Sequence, residues 1–155
     1  MKAPTTWLVV ADAGGARLFD VDANGVLTRT PHTTIAADPA PSREIASDRP
    51  GRTFDSAGQG RHAKEEPTDP HRYEKKRFAH TLAERLETAV TRHEVERLVV
   101  VSPPQLLGDL RAAMSDVLAK AVAAEVHKDL TNLPPHELER YLADELRAAV
   151  SPTTS

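Results

Sequence analysis

Trp7-Leu8-Val9-Val10-Ala11-Asp12-Ala13-Gly14-Gly15-Ala16-Arg17-Leu18-Phe19-Asp20-Val21-Asp22-Ala23-Asn24-Gly25 is the stretch that decides the fold. The apolar run 7–11 stops at Asp12 and reads as a buried strand. Ala13-Gly14-Gly15 is a turn, and 16–21 reads as a second strand pairing back on the first. Asn24-Gly25 is the strongest short hairpin signal, because the tight turn between twisted strands needs positive φ at its centre. Residues 26–35, rich in Thr and Val, predict a third strand. The chain thus opens with a three-stranded antiparallel meander.

Outward from the meander, residues 36–68 carry Pro39, Pro41, Pro50 and Pro67 among small polar residues and read as loop. A helix begins near Asp69-Pro70, a good N-cap followed by the residue best suited to the first helical position. Phe78, Leu82, Leu86 and Val90, with Ala79 and Ala83, form its apolar stripe. Residues 96–102 contain Leu98-Val99-Val100-Val101 and read as a strand buried on both faces, hence parallel. Pro103-Pro104 opens a second helix with Leu106, Leu107, Leu110, Met114, Val117, Leu118, Ala121 and Val122 inward. Residues 124–130 predict a short strand. Pro134-Pro135 opens a third helix with Leu138, Tyr141, Leu142 and Leu146 inward.

This order predicts an α/β protein with a single mixed β-sheet, the meander followed by strand–helix units. Such a layout is similar to a ribonuclease-H-like fold. One domain over 1–150 is expected, with a long basic loop at 36–69 and a disordered tail at 151–155.

The chain has 155 residues and no cysteine. That excludes disulfides, thiolate nucleophiles and zinc ribbons. The start lacks the apolar run of a signal peptide, and no apolar stretch approaches the roughly 18 residues of a membrane span. A cytoplasmic protein without membrane contact is expected. The formal charge of −3 argues against general nucleic-acid coating, so no DNA role is expected. The charge is uneven, however. Residues 41–80 hold nine Lys/Arg against seven Asp/Glu, and residues 81–150 hold eight against twelve.

Asp12 reads as a turn-former. In ribonuclease-H-like nucleases a carboxylate at this place binds magnesium, but Asp55, Asp109 and Asp116 offer no convincing partner in the sequence. The histidines show no helical zinc spacing, so neither metal nor cofactor is predicted. Walker, dinucleotide and Gly-x-Ser-x-Gly patterns are absent. Before the third helix, Thr131 or Asn132 is expected to cap its exposed N–H groups. Within the basic loop, Gly58-Gln59-Gly60 sets one amide side chain between two residues without Cβ bulk. Backbone N–H groups and a glutamine can then approach a substrate closely. His62 beside it is the histidine best placed to act as a general base.

Several segments together resemble the bacterial host attachment protein family. They are Val9-Val10-Ala11-Asp12, Ala16-Arg17-Leu18-Phe19, Ser47-Asp48-Arg49-Pro50-Gly51-Arg52, Phe54-Asp55-Ser56-Ala57-Gly58-Gln59-Gly60-Arg61-His62, Thr68-Asp69-Pro70-His71, Glu74-Lys75-Lys76-Arg77-Phe78-Ala79, Ser102-Pro103-Pro104 and Lys128-Asp129-Leu130-Thr131. A basic loop with Gly-Gln before a Lys/Arg/Phe-rich helix is more distantly similar to the middle domain of archaeal and eukaryotic peptide-chain release factors. There a Gly-Gly-Gln loop promotes hydrolysis of the peptidyl-tRNA ester. The resemblance implies that Gly58 matches the second glycine and Gln59 the glutamine. Ala57 replaces the first glycine, with Gly60 added after, and a Cβ at Ala57 restricts φ; binding is therefore weighted above catalysis. The implied function is an RNA- or ribosome-associated domain, with ribosome or tRNA as partner. Gln59 would position water, and Arg49, Arg52, Arg61, Lys64, Lys75, Lys76 and Arg77 would contact phosphates. The alternative is a non-enzymatic binding domain that acts indirectly in host attachment. The sequence does not specify an oligomeric state.

Overall fold

The computed structural model describes residues 4–37 and 70–152. The loop expected at 36–69 falls almost wholly outside the described residues, as do Arg49, Arg52, Gly58, Gln59, Gly60, Arg61, His62 and Lys64 and the end of the tail.

Strand β1 (Thr6–Asp12) pairs antiparallel with β2 (Gly15–Val21), which pairs antiparallel with β3 (Thr33–Ala36). Helix α1 (Pro70–Thr91) precedes β4 (Arg97–Val101), which lies parallel to β1. Helices α2 (Pro104–Ala113) and α3 (Asp116–Ala121) lead to β5 (Val122–Val126), parallel to β4. Helices α4 (Pro135–Tyr141) and α5 (Ala143–Val150) follow. The result is one mixed five-stranded sheet in the order β3-β2-β1-β4-β5.

Strand periodicity divides the core. Val9 and Ala11 of β1, Leu18 of β2 and Leu98 and Val100 of β4 pack against Phe78, Leu82 and Leu86 of α1, Leu106, Leu107 and Leu110 of α2, and Leu118 of α3. The alternate residues Leu8, Val10, Phe19, Val99 and Val101 pack against Leu138 of α4, Leu142 at the α4–α5 junction, and Leu146 and Val150 of α5. Covering on both faces is why β1 and β4 read as unbroken apolar runs instead of an alternation. The stripe predicted for the first helix is buried as expected, with Phe78 at 5% exposure.

The third strand is shorter than the expected 26–35. The Asp22–Val26 turn forms, with Gly25 at φ 84° and Asp22 N–H donating to Val26 O at 3.0 Å. Leu27 touches the ladder only at Val21, and pairing resumes at Thr33 opposite Leu18. Residues 28–32 thus span what 19–20 span on β2 and bow out of the ladder. Pro31 in that bow has no N–H to give to a ladder.

The second helix breaks in two. Met114 turns to extended backbone, and Ser115 caps the next helix by accepting the Leu118 N–H at 3.2 Å. Restarting the helix there turns Val117 outward, 50% exposed and not in the core as expected. The last strand starts and ends earlier than 124–130, because Val122 pairs with Leu98 as soon as α3 stops. The third helix bends at Leu142, φ −105°, while Leu142 N–H and Leu146 N–H keep their bonds to Leu138 O and Leu142 O, each at 2.9 Å. The buried face is then carried by Leu138, Leu142 and Leu146, and Tyr141 lies on the flank, 51% exposed.

Candidate functional site at the carboxyl ends of the parallel strands

The chain leaves β1 toward β2 on one side of the sheet, and leaves β4 toward β5 on the other. Between the carboxyl ends of β1 and β4 the connections diverge. Such a point is where open α/β sheets bind ligands. A cavity of about 260 Å³ occupies it, lined by Asp12 at the end of β1, Gly14, Lys75 of α1, Pro103, Gln105 and Asp109 at α2, and Asp129 after β5.

Each side chain is positioned by local chemistry. Asp12 makes the turn expected of it, its Oδ1 accepting the Gly14 N–H at 2.7 Å. Its Oδ2 accepts from the Thr131 hydroxyl at 2.9 Å, and the same hydroxyl lies 2.6 Å from Asp129 Oδ1. One O–H carries one proton, so Thr131 serves two carboxylates with a single donor. Thr131 is thereby not a helix cap. The third helix starts at Pro134 with no side-chain cap, because Thr131 and Asn132 precede the N-cap by two residues or more. Arg17 Nη2 donates to the carbonyls of Thr131 at 2.8 Å and Leu133 at 3.2 Å and pins this loop to β2. Burial holds the Arg17 guanidinium below its ordinary value, and the Asp12 charge opposes that shift.

On the opposite wall Arg72 binds Asp109 through two parallel bonds of 2.6 and 2.7 Å, which tie α1 to α2. Lys75, one turn along α1, lines the cavity and has no ion pair among the described residues. Pro103 caps α2 without a side-chain bond, and Leu107 N–H is satisfied by Pro103 O at 3.0 Å. The N–H groups of Gln105 and Leu106 belong to the first turn, where no intrahelical partner exists. Both residues line the cavity. Donors on one wall and carboxylates on the other suit a ligand with both an anionic group and hydroxyl or amine donors.

Of the residues the sequence named, the structure brings Lys75, Asp12 and Asp109 together here, with Asp109 held by Arg72. Lys76 and Arg77 are exposed on the same first turns of α1, and Arg77 borders a shallow groove with Phe78 and Ala36. Sequence reasoning missed Asp129, Thr131, Gln105 and the Arg17 pin. The Lys128-Asp129-Leu130-Thr131 junction was visible, but its proximity to Asp12 was not. Among the described residues no group of three or more His, Asp or Glu is disposed to hold a metal ion. No helix among them is long and apolar enough to cross a membrane.

A family model described as "Protein required for attachment to host cells" matches residues 7–142. No curated protein matches the chain.

Proposed function

The chain belongs to the family of proteins required for attachment to host cells, and from that premise we propose that it acts as an RNA- or ribosome-associated domain. Membership points to a role in host attachment and leaves the chemistry to the site. The observation that carries the reading is the run Lys75, Lys76 and Arg77 on the first turns of α1, with Lys75 lining the strand-end cavity and Arg77 a separate groove, and with no ion pair among the described residues. Arg72, on the same turns, is committed to Asp109. Three available cations spread around the same turns of one helix suit phosphate groups along an extended chain, on a body that is otherwise acidic.

The sheet order, with three antiparallel strands and then two parallel ones, supports the likeness to a ribonuclease-H-like fold and to the release-factor middle domain. In this reading the segment carrying Gly58-Gln59-Gly60, which precedes α1 in the chain, takes part in the same contact. Arg49, Arg52, Arg61 and Lys64 add phosphate contacts. Gln59 positions water for peptidyl-tRNA ester hydrolysis, with His62 as general base, in a cytoplasmic setting. Ala57 keeps binding ahead of catalysis. The second reading is a non-enzymatic binding domain, favoured by the mixed charge of the cavity, which suits a small polar ligand without any reaction.

The test is binding of purified ribosomes and of single-stranded RNA across a salt series. Affinity should fall steeply with salt, and Lys75→Ala, Lys76→Ala and Arg77→Ala should each lower the salt slope by about one. Gln59→Ala should leave binding intact and slow peptide release from peptidyl-tRNA by about 10²–10³ if the loop is catalytic. No binding of ribosomes or RNA at low salt would remove this reading and leave the non-enzymatic one.

A further inference from the structure

A second cavity, about 400 Å³, lies at the far end of the sheet from the strand-end site, between the last turns of α1 and the face formed by β1, β2 and β3. Its size falls in the range of small-molecule sites. Trp7, Leu18, Ile35 and Ala89 form an apolar floor. Trp7 is partly buried, and its ring touches the His32 imidazole at a centroid distance of 4.5 Å, tilted by 55°. Arg85 and Arg92 stand on the rim. Seven positions apart, they project from one side of α1 and its end. Among the described residues neither guanidinium has a hydrogen bond or an ion pair; the Arg92 backbone N–H donates to Thr88 O at 2.9 Å. Glu84 and Glu94 also reach the rim, and Glu84 lies 3.4 Å from His80.

We propose that this cavity binds a nucleoside monophosphate, with the base on Trp7, the phosphate between Arg85 and Arg92, and the sugar hydroxyls donating to the rim carboxylates. The parts of the cavity divide as the parts of that ligand do. An apolar floor with an aromatic side chain accepts a planar ring. Guanidinium groups match phosphate through paired N–H donors. The carboxylates accept hydroxyl protons while refusing a second anion. This ligand is small, and it reaches nothing at the Lys75 end, so the site stands apart from the proposed RNA contact.

Trp7 is the only tryptophan of the chain, so its emission reports this cavity alone. Adenosine and uridine monophosphates should change it saturably, and calorimetry should give the same affinity. Arg85→Ala and Arg92→Ala should each weaken binding about tenfold, the loss expected of a charged hydrogen bond. Both side chains are exposed, so neither change threatens the fold. The parent nucleosides should bind about tenfold or more weakly, and inorganic phosphate should leave the emission unchanged. Absence of saturable binding by both nucleotides would overturn the proposal, as would binding indifferent to both arginine changes. A response to an RNA oligonucleotide but to neither mononucleotide would also overturn it. Failure of ribosome binding would not touch it.

Discussion

A methyl group added at Gly15 would meet the Ile35 carbonyl oxygen at 2.7 Å, and the residue holds φ +154°, which L side chains rarely adopt. Gly15 is therefore a steric requirement of the β1–β2 turn and of close approach by β3. The Gly14-Gly15 turn is no phosphate loop. Gly15→Ala should cost at least about 1–3 kcal/mol in urea melts. Gly108 is the contrast. It sits inside α2, and a Cβ there meets nothing within 4 Å. Gly108→Ala should stabilise by about 0.5–1 kcal/mol, because glycine loses more backbone freedom in a helix than alanine. Equal effects from the two changes would show that backbone conformation does not govern them. The sequence marked Gly14-Gly15 as a turn. It could not mark the contact with Ile35, which lies on another strand.

Helix α1 is the element that the sequence described best and whose work depends most on its neighbours. Its start at Pro70 and its apolar stripe were legible, because a proline suited to the first helical position and a 3.6-residue period are local signals. Its Phe78 is buried among Ile35 and the leucines of α2 and α3. Phe78→Ala should cost about 3–5 kcal/mol in the same melts. A loss under about 1 kcal/mol would mean that the stripe is not core. The helix following Pro103 was read less well. A single apolar periodicity continued through Met114 and Ser115, and it concealed a break that Ser115 makes by capping Leu118. A serine side chain competes for backbone N–H groups, and periodicity does not register that competition.

At the scale of the whole molecule, two cores share one sheet, so β1 and β4 cannot lose one covering layer without exposing the backs of the same strands. Unfolding should be a single cooperative event. Trp7 sits on the α1 face, while α4 and α5 cover the other and add to far-ultraviolet circular dichroism. Trp7 fluorescence and circular dichroism should give one midpoint in urea. Separate midpoints would show that the two layers melt independently. The strand-end cavity is likewise a property of the whole, since its walls come from β1, α1, α2 and the segment after β5.

The sequence by itself determined the strand and helix periods, the burial of β1, the burial of β4 on both faces, the Asp12 and Asp22 turns, and the motifs that place the chain in its family. Each rests on residues within a few positions of one another, where backbone geometry and side-chain spacing act directly. Only the tertiary structure decided the strand order, the truncation of β3, and the meeting of Asp12 with Thr131 and Asp129, 119 residues along the chain in the case of Thr131. Those outcomes depend on which ladder buries both faces of the sheet at once. That choice is a non-local packing balance, written in no single segment.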